Sequence, residues 1–160
     1  RWVGPMKTVH AVGQSVVAHR RDKQGRRRPS SIPDHVDITG EMEQGGQMRL
    51  NVTTVAGLVT CPVDIHVFGT EGTLRLYQER GGEMTLSAGK RGDKRLKDVK
   101  IGKSKRGAWR VEEEFIKAIR GKEDVTHTDF ATAVQYMEWT DAVTMSLRRR
   151  EVVKLPLLGN

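Results

Sequence analysis

Apolar and polar residues alternate along the first two-thirds of the chain, a pattern typical of strands with one buried face. Segments 35–43 and 48–55 alternate most clearly, and the turn residues Gln44-Gly45-Gly46-Gln47 lie between them. These features predict a β-hairpin with one apolar and one polar face. Further strands are predicted over residues 6–17, 63–68, 73–77, 83–87 and 96–101.

In the last third of the chain the apolar residues recur at helical spacing. A helix is predicted over residues 109–120, and Gly121 is a natural stop for it. Thr128 is the expected N-cap of a longer helix, with Asp129 at its positive end. This second helix is predicted to end at Arg148–Arg150, where cations are stabilised by the helix dipole. The apolar residues that share one face of the first helix are Val111, Phe115, Ile116 and Ile119.

The order of the elements defines the fold class. Strands come first, helices follow, and a short final strand is predicted over residues 152–155. Connections of hairpin length favour antiparallel pairing. We therefore expect an α+β domain over residues 1–160, with an open, mainly antiparallel β-sheet and helices packed on one face.

The opposite face of the predicted hairpin is polar, and we expect the helices to leave it uncovered. Its members alternate with the apolar residues of the same two strands. They are Asp37, Thr39, Glu41, Arg49, Asn51 and Thr53.

The net charge of +8 is concentrated in two short segments. Residues 20–28 carry +5 and residues 90–106 carry +7, so the rest of the chain is mildly acidic at −4. Solvated loops or hairpin tips explain both segments, because only Trp109 supplies a nearby ring for stacking on bases. We therefore expect no nucleic-acid partner, and a basic nucleic-acid-binding module stays the alternative.

Cysteine usage and hydropathy exclude several protein classes. The single cysteine, Cys61, cannot form an internal disulfide, so a disulfide-stapled secreted scaffold is excluded. The longest uncharged stretch, residues 50–63, is too short and too polar to span a bilayer. No signal peptide is visible at the N-terminus, so we expect a cytoplasmic protein without a membrane partner.

The sequence presents no catalytic constellation. No Gly-x-Gly-x-x-Gly follows a strand and opens a helix, so no dinucleotide fingerprint is found. Gly69-Thr70-Glu71-Gly72 lacks the ending of a phosphate loop and is expected to be a hairpin turn. The five histidines lack the spacing of a zinc site, so no metal is expected. Glu112–Glu114 are expected to form a solvated first helical turn.

Four motifs occur in an order that a known family shares. Residues 65–76, IHVFGTEGTLRL, are similar to an I-x-G-T-E-G-T-L-x-L hairpin, and residues 114–121, EFIKAIRG, are similar to an eFi-x-AI-x-G helix end. Residues 127–156 resemble a terminal helix and strand, and residues 3–9 resemble a strand that opens after a Leu-Gly helix end. In this order the motifs resemble the glucose–fructose oxidoreductase, inositol dehydrogenase and rhizopine-catabolism (Gfo/Idh/MocA) family.

The resemblance implies an activity that the residues alone do not show. Family members join an N-terminal Rossmann domain, which binds NAD or NADP, to a C-terminal α+β domain that supports a sugar, inositol or related polyol. Their proton transfer is carried by a lysine in a Glu-Lys-Pro motif and by an Asp and a His on the helix that opens the C-terminal domain. This chain has no Glu-Lys-Pro. We therefore expect a fragment without catalytic or cofactor-binding residues, whose missing partner is the Rossmann domain.

Two roles are carried over from the family to positions of this chain. The open polar face is expected to form homo-oligomer contacts. Trp109 is expected to point toward the substrate pocket, with packing under the sheet as the alternative. A non-catalytic oligomerisation domain stays a further alternative to an oxidoreductase fragment.

Overall fold

The computed structural model of the chain describes residues 3–102, 105–107, 109–126 and 129–157, which contain ten strands and two α-helices. The strands are β1 Thr8–Gln14, β2 His19–Arg21, β3 Arg27–Pro29, β4 His35–Glu41, β5 Gln47–Thr53, β6 Val63–Phe68, β7 Gly72–Gln78, β8 Met84–Lys90, β9 Lys97–Asp98 and β10 Val153–Lys154. The helices are α1 Val111–Ile119 and α2 Phe130–Arg149. The predicted α+β class with open antiparallel pairing is confirmed, while the described strands are divided among three sheets instead of the one sheet predicted.

The chain folds into two compact units. The first unit combines Arg1–Val55 with Arg110–Asn160, so it is built from both ends of the chain. The second unit is the intervening segment Ala56–Trp109.

The core of the first unit lies between α2 and a four-stranded sheet of order β10-β1-β4-β5, antiparallel throughout. Alternation along β1 and β4 places Val9, Ala11 and Ile38 on the face that α2 covers. The β4–β5 register pairs Ile38 with Leu50 and Asp37 with Asn51, so the apolar and polar sets stay on opposite faces. The buried residues of this core are Val9, Ala11, Ile38, Ala142, Val143 and Val153.

Two close contacts hold β1 in place. The buried Ser146 Oγ of α2 accepts a hydrogen bond of 2.9 Å from the Ala11 amide and donates one of 2.6 Å to the Glu151 carbonyl. In the neighbouring strand β4, Gly40 lies so close to β1 that a Cβ on it would be 2.1 Å from the Thr8 carbonyl oxygen. Only glycine allows the two strands to approach so closely at this point.

The first unit also carries a two-stranded ribbon, β2–β3, whose six residues are all exposed. The predicted solvated hairpin at residues 20–28 is thus a regular antiparallel pair. We refer to His19–Pro29 as the basic arm.

The second unit is an antiparallel sheet of order β6-β7-β8-β9. Strand β6 spans the predicted residues, and β6 and β7 are joined by the predicted turn at Gly69–Gly72, closed by a hydrogen bond of 2.8 Å from the Gly69 amide to the Gly72 carbonyl. The phosphate-loop alternative is therefore excluded in favour of a hairpin turn.

The helices depart from expectation in three respects. The apolar residues of α1 share a face, as predicted, but Phe115, Ile116 and Ile119 are exposed. Glu114, expected in solvent, is buried and accepts a hydrogen bond of 2.7 Å from Thr126. The residue that caps α2 is Asp129, whose carboxylate accepts from the Thr132 amide.

Thr128, the expected cap of α2, and its neighbour His127 lie outside the residues that the structure describes. Of the helices described, none combines the length and apolarity needed to cross a membrane.

Candidate functional site

The six residues predicted to form an open polar face lie together on one face of the first sheet. Asp37 pairs with Asn51 and Thr39 pairs with Arg49 across β4 and β5, while Glu41 and Thr53 lie at opposite ends of the pairing. Helix α2 packs on the opposite face, through Val9 and Ala11 of β1 and Ile38 of β4. The co-facial arrangement is thus as expected, and its role in oligomer contacts stays a prediction.

The centre of this polar face is an ordered cluster of hydrogen-bonded side chains. Asn51 Nδ2 donates to Asp37 Oδ1 at 2.9 Å, and His35 Nε2 lies 3.3 Å from Asp37 Oδ2. The Asn51 bond, followed by His35 and the charge of Arg49, lowers the pKa of Asp37. Asp37 also pairs with Val12 of β1, the neighbour of β4 at its other edge, and the Val12 side chain is exposed. The face therefore combines a fixed carboxylate with an apolar neighbour, a mixture found in protein interfaces.

Trp109, the expected substrate-facing residue, is the last residue of the second unit and is 80% exposed. The role of Trp109 toward a substrate stays a prediction.

An open depression of about 690 Å³ lies in the second unit, and Arg75, Tyr77 and Arg80 are among its lining residues. Arg75 donates two hydrogen bonds to Asp64, of 2.8 and 2.9 Å, and its guanidinium lies 4.3 Å from the centre of the Tyr77 ring. The Asp64 carboxylate raises the pKa of Arg75, and Arg75 lowers that of Asp64. Because this guanidinium is engaged along one edge by Asp64 and on one face by Tyr77, it is poorly placed to bind a further anion.

A network of ion pairs joins α1 to the loop that follows it. Glu113 Oε1 lies 2.6 Å from Lys117 Nζ, and Glu113 Oε2 lies 3.2 Å from Arg110 Nε. Both bases also contact Glu123, at 3.2 and 3.0 Å. The hydrogen bonds from Arg110 and Lys117 lower the pKa of Glu113 to about 2. This network fixes the start of α1 without using its apolar face.

Sequence reasoning did not predict two features that the structure brings out. One is the exposure of the apolar stripe at the start of α2: Phe130, Val134 and Met137 recur at i, i+4 and i+7, as the sequence indicates, but all three are exposed. The other is the anchoring of the basic arm by Asp34. Within the described residues, no group of three or more His, Cys, Asp or Glu is placed to hold a metal ion.

Comparison with solved structures identifies the fold. Levoglucosan dehydrogenase in complex with NADH and L-sorbose matches with a TM-score of 0.75 at 21% identity, over 98% of this chain and 47% of that chain. An NAD-binding oxidoreductase from Klebsiella pneumoniae matches with a TM-score of 0.73 at 18% identity, over 95% and 46%. The WlbA dehydrogenase from Bordetella pertussis, in complex with NADH and UDP-GlcNAcA, matches with a TM-score of 0.65 at 19% identity, over 97% and 40%.

No family model and no curated protein matches the sequence. The structural neighbours are oxidoreductases of the Gfo/Idh/MocA type, so the predicted resemblance is confirmed at the level of the fold. The chain spans less than half the length of these neighbours. Its fold is similar to that of one part of these neighbours.

Proposed function

We propose that this chain is the substrate-side part of an NAD(P)-dependent oxidoreductase that acts on a sugar, an inositol or a related polyol in the cytoplasm. The observation that carries the proposal is the match of nearly the whole chain to less than half of NADH-bound sugar dehydrogenases. The cofactor would supply hydride transfer from a separate nucleotide-binding domain. The residues of this chain would then position the substrate and hold the assembly together.

The exposed apolar residues on the helices support a missing partner domain. Phe115 and Ile119 of α1 lie one turn apart, as do Phe130 and Val134 of α2, and all four are more than half exposed. Exposed apolar stripes on amphipathic helices are typical of surfaces that another protein element covers. We propose that the nucleotide-binding domain covers these residues in the intact enzyme.

The proposal is tested first by the intact mass and N-terminal sequence of the natural gene product. We expect a mass of about twice the 18.0 kDa of this chain, and NAD(P)-dependent oxidation of a polyol by the natural product. The 160-residue chain alone is expected to show no turnover. A natural product of 18 kDa beginning at Arg1, or polyol turnover by this chain alone, would contradict the proposal.

A matched pair of substitutions tests the covered helix face. Ile119 is 71% exposed on α1, and Ile32, in the loop before β4, is 77% exposed. In the natural product, Ile119→Ser is expected to lower the free energy of unfolding by about 1.5–3 kcal/mol, because it removes a buried side chain from the domain contact. Ile32→Ser is expected to change it by less than about 0.5 kcal/mol. Equal effects of the two substitutions would refute the helix face as a domain contact.

We further propose that the polar face of the first sheet contacts a second copy of the chain. The ordered Asp37–Asn51–His35 cluster and the exposed Val12 support this, because fixed polar groups around an apolar residue lose little entropy on association. Arg49→Glu reverses a charge on that face, and Arg91→Glu makes the same change in the turn after β8. Native mass spectrometry should show dissociation with the first substitution only. An unchanged oligomer mass in the Arg49 variant would count against this interface.

The same preparation tests the proposed role of Trp109. Its exposed ring is suited to pack against the apolar face of a sugar. We expect Trp109→Ala to raise KM for the polyol with little change in kcat, and Trp109→Phe to retain most of the affinity. An unchanged KM in both variants would remove Trp109 from the substrate site.

A further inference from the structure

The basic arm places arginines directly opposite each other at two successive positions. Across β2 and β3, Arg20 pairs with Arg28 and Arg21 pairs with Arg27. Side chains at directly opposite positions have Cβ atoms about 4.5–5.5 Å apart, and like charges there are destabilising. A counter-charge therefore stabilises each pair.

Only one of the two pairs has that counter-charge within the described residues. Arg20 Nη2 lies 3.0 Å from the Asp34 carboxylate, and Arg28 Nε lies 3.1 Å from that of Asp22. Alternation along the ribbon directs the other pair to the opposite face.

The second pair is bonded to groups of the arm other than carboxylates. Arg21 Nη1 donates to the Gly25 carbonyl at 2.9 Å, and Arg27 Nη2 lies 3.2 Å from His19 Nδ1. A guanidinium has five N–H donors, so each of these arginines retains donors for a ligand. Neither forms an ion pair with any carboxylate that the structure describes.

The arm is held in a fixed position although its strands are exposed. The buried Asp34 carboxylate accepts hydrogen bonds from the Val16 amide at 2.8 Å and the Val17 amide at 3.1 Å, besides that from Arg20. These bonds, the Val16 amide foremost, lower the pKa of Asp34. The carboxylate therefore stays charged near neutral pH and anchors the base of the ribbon. Such anchoring preorganises the arginines for a ligand.

An open depression of about 430 Å³ lies at this position. Its lining comprises apolar groups at the base of the arm and cationic groups along it. The lining residues are Val17, Ala18, His19, Arg20, Arg21 and Arg27.

We propose that Arg21 and Arg27 form a binding site for a phosphate group, presented by a small phosphorylated molecule. A phosphate between the two guanidiniums neutralises the opposed charges and accepts their remaining N–H groups. The segment 15–34 contains no Phe, Trp or Tyr, so it offers no stacking platform for the bases of a nucleic acid. This site does not depend on the proposed oxidoreductase function.

The test is calorimetric titration of the 160-residue chain with pyrophosphate at about 0.15 M salt. Saturable binding at one site per chain is expected, weakened at least about tenfold by Arg21→Gln or by Arg27→Gln. Arg91→Gln makes the same charge change in the other basic segment and should alter the affinity by less than about twofold. Arg21→Lys keeps the charge and should retain part of the binding.

Thermal unfolding without phosphate supplies an independent readout. Because Arg21→Gln removes an uncompensated repulsion, its midpoint should be at or above that of the wild type, and added pyrophosphate should no longer raise it. Parallel titrations with inorganic phosphate and with a hexose monophosphate distinguish the sources of the phosphate group. Tighter binding of the hexose monophosphate assigns an organic ligand that also uses the Val17–Ala18 wall.

Several results would overturn the site. These are no saturable binding of pyrophosphate or either phosphate, an equal loss of binding in the Arg91 variant, or binding of a uridine homopolymer with no binding of pyrophosphate. The last result would assign the basic segments to nucleic acid instead.

Discussion

Replacing Ser146 by alanine isolates the contribution of one buried hydroxyl to the first unit. Strand β10 pairs with β1 only at Thr8 and Val9, so the Ala11 amide lies beyond the end of that ladder. Ser146 Oγ takes the place of a strand partner, because it accepts a hydrogen bond of 2.9 Å from this amide. Ser146 is fully buried, so removing the hydroxyl leaves the Ala11 amide without its hydrogen-bond partner.

The expected cost follows from that orphaned donor. An unsatisfied buried backbone group costs about 1–3 kcal/mol, so Ser146→Ala should lower the free energy of unfolding by that amount. Thr140→Ala is a control on the same helix, because the exposed Thr140 hydroxyl donates to the Tyr136 carbonyl at 2.8 Å, a group already paired within the helix. Its effect should stay within about 0.5 kcal/mol.

Urea denaturation measures both free energies, and hydrogen exchange at the Ala11 amide identifies the affected bond. We expect faster exchange at Ala11 in the Ser146 variant and unchanged exchange in the Thr140 variant. A Ser146 variant as stable as the Thr140 control, with a protected Ala11 amide, would refute the reasoning.

Three further perturbations test the fold more widely. Gly40→Ala should destabilise the first unit by at least about 1–3 kcal/mol in urea, since its Cβ would meet the Thr8 carbonyl; wild-type stability would contradict this. Asp129→Ala should cost about 1 kcal/mol through the lost N-cap of α2 while Asp129→Asn costs little, and equal costs would exclude capping. The Glu113 carboxyl has a pKa of about 2 instead of 4.5, so its stabilisation of α1 is complete above pH 4.5 and is lost as the pH falls toward 2. Circular dichroism across that interval should show helix loss that Glu113→Gln removes, and an identical titration in both proteins would exclude this carboxyl.

Local pattern was sufficient to predict most of the strands and the polar face. Strand β6 coincides with the predicted segment. The β4–β5 hairpin pairs polar residues with polar residues, as the predicted polar face requires. Period-two alternation decides which residues share a face, and the Gly45–Gly46 turn decides which strands pair. The composition of the polar face therefore follows from residue order alone.

The local pattern could not predict what packs on a helix face or which distant residues form hydrogen bonds and ion pairs. Helical spacing shows that Phe115 and Ile119 share a face, but not what packs on it, and in this chain that face is exposed. Glu114 follows Glu112 and Glu113, so the local sequence does not distinguish it from them. It is nevertheless buried, at the place where the chain returns and Thr126 donates a hydrogen bond to it. The counter-charge of Arg20 likewise lies 14 residues away, at Asp34.

The division of the first unit between both ends of the chain affects how the protein is made. Ala11 and Ser146 are 135 residues apart, so the first strand emerges from the ribosome long before its helix and its edge partner exist. Contacts of such high sequence separation slow folding, and the apolar side of β1 stays open to other chains during synthesis. The intervening residues 56–109 form a compact unit of their own. That unit can fold co-translationally while the first strands still lack their helix, so the first unit is completed only after residues 110–160 have been synthesised.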